Sequence, residues 1–134
     1  MDKQELKEFY EADMKLIKEF LKAEDLTLED VEITESDIYD TSCLMVESGN
    51  SEYYIVRDID ELENNVRKYM LEDYSEYPYF YTEGIKSGNI DPISTCFKDW
   101  IDDILRYDGL GSVVSGYDGC LNELSGNAGY FQTN

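Results

Sequence analysis

Histidine is absent from this chain of 134 residues. Its absence excludes catalytic Ser-His-Asp and Cys-His arrangements, and also the histidine-containing zinc motifs of metalloproteases and C₂H₂ fingers. Cysteine is scarce too, because Cys43, Cys96 and Cys120 are far apart and form no CxxC pair. We therefore expect no metal site, no cofactor and no enzymatic activity. The cysteines should be free and mostly buried, as is typical of a reducing compartment.

Long apolar runs and basic residues are also scarce. No stretch reaches the roughly 18 apolar residues of a membrane span, and the charged N-terminus lacks the apolar segment of a signal peptide. The chain has 11 Lys and Arg against 31 Asp and Glu, which gives a net charge of −20 at pH 7. Nucleic acid and anionic membranes are therefore not expected as partners, since both attract basic side chains. Together these features predict a cytoplasmic protein.

The apolar content of 42% is enough for a core and predicts a single domain over residues 1–134. The charge is distributed unevenly along it. Residues 1–22 contain five lysines and six acidic residues, so the rest of the chain has a net charge of −19. We expect 1–22 to form a semi-independent helix that packs on the domain or mediates self-association, for example in a homodimer.

Hydrophobic periodicity predicts an α+β fold, with a small antiparallel sheet of about four or five short strands and about three helices. The expected helices are 3–23, 59–73 and 92–105. The expected strands are 43–47 and 52–57, which form a hairpin around the turn SGNS, and 112–116, 120–124 and 129–133 in the tail. Asp58 has the spacing to Glu61 that is typical of a helix N-cap. Residues 24–40 have no firm assignment.

The tail contains the triplet YDG twice, at 107–109 and 117–119. Asp-Gly pairs favour turns that need a positive φ, so each triplet predicts a turn. The glycines of the tail do not form a dinucleotide-binding fingerprint, because the residues after them are predicted to form a strand and not a helix.

The candidate partner contacts are carboxylates that no cap or ion pair explains, together with tyrosines of the connector 74–91. Tyrosine is enriched at interfaces because it provides a large contact area at low entropic cost. The predicted partner-binding residues are Glu72, Asp73, Tyr74, Glu76, Tyr77, Tyr79, Asp99, Asp102 and Asp103.

The segments DGLGSVVSGYDG (108–119) and YFQTN (130–134) resemble the C-terminal end of a family of small acidic proteins of tailed bacteriophages. The likeness extends upstream to EYYIV and DIDELENNVRKYM and covers roughly residues 20–134. Two positions depart from the family pattern, with Ser112 in place of histidine and Gln132 in place of arginine. The resemblance implies a phage context.

Charge and phage context together favour a non-enzymatic inhibitor of a basic, nucleic-acid-handling protein of the bacterial host or its defence systems, of the anti-CRISPR or anti-restriction type. A surface of carboxylates can occupy a basic groove by competing for the same Lys and Arg side chains. The alternative is a phage structural, assembly or other accessory protein in which acidity only provides solubility. A remote alternative is a carboxylate-metal hydrolase.

Overall fold

The computed structural model describes residue 9, residues 11–76, residue 105 and residues 109–134, and it describes the side chains of all of these except 71–76. Within these ranges the helices are α1 (Glu11–Ala23), α2 (Ile59–Glu76) and α3 (Gly109–Val114), with a short 3₁₀ helix at Leu28–Asp30. The strands are β1 (Glu32–Ile38), β2 (Thr41–Ser48), β3 (Ser51–Val56), β4 (Asn122–Glu123) and β5 (Gly129–Gln132). The predicted α+β class is confirmed.

The strands form one antiparallel sheet in the order β1-β2-β3-β5-β4. β1, β2 and β3 are joined by two-residue turns, Tyr39–Asp40 and Gly49–Asn50. The second is the predicted SGNS turn, and its Gly49 has a φ of 59°. The first turn is unusual, because Tyr39 and Asp40 have φ values of 49° and 58° although neither is glycine.

Helices cover both faces of the sheet, and each face has its own apolar cluster. On the first face, α1 packs over the centre of the strands. Its Phe20 is fully buried and contacts Tyr53 and Tyr130 edge-on, with ring centroids 5.1 and 5.0 Å apart. On the second face, α2 and α3 cover a cluster formed by Cys43, Val56, Leu62, Val66, Leu105, Val114 and Phe131.

The N-terminal helix belongs to the core over the residues that are described. Leu16, Ile17, Phe20 and Leu21 of α1 are buried against the sheet, as the helical spacing of apolar residues requires. The described part of this segment thus packs on the sheet, and its expected role in self-association stays a prediction. Residues 1–8 and 10 lie outside the described part, and the independence of 1–22 stays a prediction.

The start of α2 confirms the predicted cap. The Asp58 carboxylate accepts hydrogen bonds from the backbone N–H groups of Asp60 (3.0 Å) and Glu61 (3.4 Å). Asn127 adds two contacts, since its side chain donates to Asp58 Oδ1 at 2.7 Å and its carbonyl accepts from the Ile59 N–H at 2.7 Å. The C-terminal tail thereby fixes the beginning of α2.

Two assignments along the chain change in the structure. The unassigned segment 24–40 contains β1, whose alternation of apolar and polar residues is interrupted by Glu35 and Asp37. The predicted strand 112–116 is wrong, because this region is the end of α3 and the residues that follow it. The helix packs closely on the loop after it, where a Cβ on Gly111 would lie 2.6 Å from the Gly119 carbonyl oxygen. This tertiary contact outweighs the strand propensity of the two valines.

The other predicted tail elements are present. Strand 129–133 corresponds to β5, and strand 120–124 is shortened to β4. Both YDG glycines have the expected positive φ, 84° at Gly109 and 71° at Gly119. The predicted helix 92–105 lies outside the described residues except for Leu105, which is helical and buried.

The expectation of mostly buried thiols is wrong for one of the two described cysteines. Cys43 is free and buried, whereas Cys120 is free and exposed. Cys120 follows the second YDG triplet, and its N–H bonds to the side chain of Asp118, which holds it in the surface turn. Cys96 lies outside the described residues.

Candidate functional site

The nine sequence-predicted contact residues are not brought together by the described part of the molecule. Glu72, Asp73, Tyr74 and Glu76 lie in the last turns of α2, where only the backbone is described. Tyr77, Tyr79, Asp99, Asp102 and Asp103 lie outside the described residues. Their role as contacts stays a prediction.

The described carboxylates are concentrated between residues 23 and 66, where the chain has 14 acidic residues and one basic residue, Arg57. The acidic residues are Glu24, Asp25, Glu29, Asp30, Glu32, Glu35, Asp37, Asp40, Glu47, Glu52, Asp58, Asp60, Glu61 and Glu63. This segment contains β1, β2, β3 and their turns. Six of the fourteen lie on these strands and turns, four lie before β1, and four lie at the start of α2.

Arg57 is bound internally, at the end of β3 on the face that α1 covers. Its Nε and an Nη donate to the two carboxylate oxygens of Asp13 at 2.7 and 3.0 Å. The guanidinium also donates to Glu35 at 2.7 Å and to the Ser42 hydroxyl at 3.2 Å. The hydrogen bond to Asp13 is the main reason that the pKa of Arg57 lies above its ordinary value. The Asp13 side chain is 5% exposed, so this pair fastens α1 to the sheet.

On the opposite face of the sheet, three glutamates lie side by side on neighbouring strands. Glu32 is the register partner of Glu47, and Glu47 is the register partner of Glu52. Directly opposite residues on one face have Cβ atoms about 4.5–5.5 Å apart, and like charges in this position destabilise a sheet. Glu32 and Glu47 are exposed and Glu52 is half-buried. We call Glu32, Glu47 and Glu52 the glutamate row.

The end of the chain supports the glutamate row without neutralising it. The Thr133 hydroxyl donates to Glu52 Oε1 at 3.0 Å, and the backbones of Glu52, Thr133 and Asn134 are hydrogen-bonded. Glu52 is therefore held in place by a neutral donor. Beside the row lie Met45 and Tyr54, register partners that are half-buried. The pKa of Tyr54 is raised by burial and then by the charge of Glu52.

The glutamate row was missed at the level of sequence, although part of its signal was present. Glu47 and Glu52 are placed symmetrically about the SGNS turn, so the predicted hairpin with a two-residue turn already makes them cross-strand partners. Glu32 joins them only when β1 is recognised, and the sequence of 24–40 has too irregular an alternation for that.

The described residues contain neither a metal-binding cluster nor a helix that could cross a membrane. No group of three or more His, Cys, Asp and Glu side chains among them is arranged to hold a metal ion. The described helices are also too short or too polar to cross a bilayer. The described structure presents an antiparallel sheet with carboxylates that can accept hydrogen bonds from Lys and Arg side chains.

Comparison of the chain with protein-family models, with curated proteins and with solved structures finds no match.

Proposed function

We propose that this chain is a non-enzymatic inhibitor that binds a basic, nucleic-acid-handling protein of a bacterial host or its defence systems. The observation that carries the proposal is the glutamate row, in which like charges are register partners on three strands. Such a row costs stability. Solubility needs only scattered charge, so alignment of the carboxylates favours a binding role.

The local imbalance of charge supports the same function. The one arginine between residues 23 and 66 is bound to Asp13 and Glu35, so it does not offset the glutamate row on the other face. A field of one sign accelerates encounter with a basic groove and repels nucleic acid. The resemblance of the tail to small acidic phage proteins implies a phage context, and together with the charge this context favours CRISPR and restriction nucleases as partners and the bacterial cytoplasm as the place.

The first experiment is capture of partners from bacterial lysate on immobilised protein, followed by affinity measurement for each partner over a range of salt. We expect partners with basic nucleic-acid-binding surfaces, competition by DNA, and a steep loss of affinity with salt because screening shortens the range of the charges. Recovery of partners without such surfaces, or binding that is indifferent to salt and DNA, would contradict the proposal and favour a solubility role for the acidity.

A matched pair of variants separates the glutamate row from net charge. Glu32→Gln, Glu47→Gln and Glu52→Gln together remove three charges from the row. Glu11→Gln, Glu29→Gln and Glu123→Gln remove three charges from exposed positions elsewhere. We expect the first variant to bind at least about tenfold more weakly, a change of about 1.4 kcal/mol. The second variant should bind like the wild type, and equal losses would assign binding to net charge alone.

The same assay tests the partner contacts that the sequence predicts on the helix 92–105. Joint reversal of Asp99, Asp102 and Asp103 to lysine should abolish binding if that helix contributes contacts, while circular dichroism shows an intact fold. Retained affinity in this variant would restrict the contact surface to the sheet.

A further inference from the structure

β1 is an edge strand within the described sheet, with β2 as its only described strand neighbour. It is joined to β2 by the two-residue turn Tyr39–Asp40, in which both residues have a positive φ. Turns of this kind are flanked by a hydrogen-bonded pair, here Ile38 and Thr41, and such pairs alternate along an antiparallel ladder. The backbone N–H and C=O groups of Ile33, Glu35 and Asp37 therefore point away from β2.

The side chains along this edge have one sign of charge. β1 contains Glu32, Glu35 and Asp37 and no basic residue in its seven positions. Glu35 and Asp37 are both exposed and lie on the face of the sheet that α1 covers. The opposite edge differs, because β4 is two residues long and contributes a single carboxylate, Glu123.

We propose that the outer edge of β1 binds an extended segment of a basic partner as an additional strand. Main-chain hydrogen bonds from Ile33, Glu35 and Asp37 provide affinity, as in other cases of strand addition. Lys or Arg in the bound segment beside Asp37 provides selectivity, whereas Glu35 on the same edge already accepts a hydrogen bond from Arg57. The inference rests on the proposed function, since it gives the basic partner a defined mode of binding.

Charge also disfavours pairing of β1 with β1 of a second copy of the chain. Pairing of β1 with β1 places carboxylates beside carboxylates, an arrangement that natural edge strands use to prevent edge-to-edge association. A basic strand converts the same repulsion into attraction. With seven residues, β1 is longer than the typical strand of about five or six.

The experiment uses the full chain and two capped peptides of equal charge, Lys-Thr-Lys-Thr-Lys-Thr-Lys and Lys-Pro-Lys-Pro-Lys-Pro-Lys. Proline has no N–H and cannot join a ladder, so the second peptide retains only the charge. We expect the threonine peptide to bind about tenfold more tightly, which corresponds to about 1.4 kcal/mol. It should also slow amide hydrogen exchange at Ile33, Glu35 and Asp37. Equal affinity, or protection elsewhere, overturns the inference.

Two charge reversals test whether the peptide binds at β1 and not at β4. Asp37→Lys on β1 and Glu123→Lys on β4 change the net charge equally, and both residues are exposed. We expect the first to weaken binding of the threonine peptide about tenfold and the second to leave it nearly unchanged. Equal effects overturn the edge assignment. Chemical denaturation confirms that each variant folds.

The outcomes for the edge and for the proposed function are distinct. If the two peptides bind alike while the glutamate-row variant still loses its captured partner, the edge inference is wrong and the proposed function stands. If no basic protein is captured at all, the proposed function is wrong. Concentration-dependent dimerisation with protection of the same β1 amides, measured without peptide, assigns the edge to self-pairing and also overturns the inference.

Discussion

Charged side chains are arranged in opposite ways on the two faces of the sheet. On the face covered by α1, Asp13 and Arg57 form a paired and largely buried contact, with Glu35 and Ser42 completing the guanidinium's hydrogen bonds. On the other face, the glutamate row places three carboxylates in register, and Glu52 among them accepts a hydrogen bond from the neutral Thr133 hydroxyl. The same strands supply both arrangements.

The Asp13–Arg57 pair stabilises the fold, whereas the charges of the glutamate row reduce its stability. A buried carboxylate needs a partner, because an uncompensated charge in the interior is strongly unfavourable. Exposed carboxylates in register need none, but they repel each other by a fraction of a kcal/mol per pair (about 0.2–1). The Asp13–Arg57 pair is therefore explained by folding alone, whereas the glutamate row is not.

The largest loss of stability is expected from Asp13→Ala. Removal of this carboxylate leaves Arg57 without its best partner beneath α1, and loss of one member of a buried pair costs about 3–5 kcal/mol. Because the Arg57 side chain is 29% exposed, we expect the lower end, about 3 kcal/mol, in the free energy of unfolding measured with urea.

Glu35→Ala is the matched control, since it removes the other carboxylate from the same guanidinium. The Glu35 side chain is 57% exposed, so solvent screens the pair and the expected loss is about 0.5 kcal/mol. Equal losses from Asp13→Ala and Glu35→Ala would show that burial does not distinguish the two contacts.

The next effect concerns alkaline pH and Cys43 of β2, which is buried in the apolar cluster under α2 and α3. Burial raises the pKa of this thiol to about 11, Arg57 lowers it, and Asp37 and Glu35 raise it. In the unfolded chain the thiol has its ordinary pKa of 9.0. The folded pKa is the higher one, so the contribution to stability is complete below about pH 9 and is lost as pH rises through about 11.

We expect the free energy of unfolding to fall by about 2–3 kcal/mol through that interval, since the two pKa values differ by about two units and each unit corresponds to 1.36 kcal/mol. Cys43→Ala should remove this part of the decline, whereas Cys120→Ser at an exposed thiol should retain it. A wild-type curve that Cys43→Ala leaves unchanged in slope would contradict the assignment, and urea denaturation at each pH provides the measurement.

The smallest effect is expected within the glutamate row. Glu47 is the central member, so Glu47→Gln removes both cross-strand repulsions and should stabilise the protein by about 0.5 kcal/mol. Added salt should stabilise the wild type more than this variant, because screening weakens the repulsion that the variant lacks. Glu11→Gln on α1 is the control for net charge, and an equal gain there would refute a specific effect of the row.

Local signals in the sequence were sufficient for the elements whose determinants are adjacent in the chain. The hairpin of β2 and β3 follows from two apolar runs around SGNS, and the start of α2 follows from Asp58 and the acidic first turn. The two YDG glycines likewise take the positive φ that Asp-Gly favours. Each of these depends on neighbours within about four residues, which is the reach of caps and tight turns.

Distant contacts decided what local signals did not. β1 forms although its alternation is broken, because Ile33 packs beneath α1 and Glu35 reaches Arg57. The valines of α3 are helical because Gly111 lets the backbone approach the Gly119 carbonyl. In the sequence Asp13 is one more acidic residue of an amphipathic helix, and only the structure shows that it is buried and hydrogen-bonded to Arg57.

By itself the sequence determined the fold class, the absence of histidine chemistry and the strongly acidic character, because composition and short-range periodicity are sufficient for these. Only the tertiary structure decided which carboxylates are used internally and which are presented in register. That choice depends on strand pairing and on the helix above each face, so Asp13 and Glu47, equivalent in charge, have opposite roles.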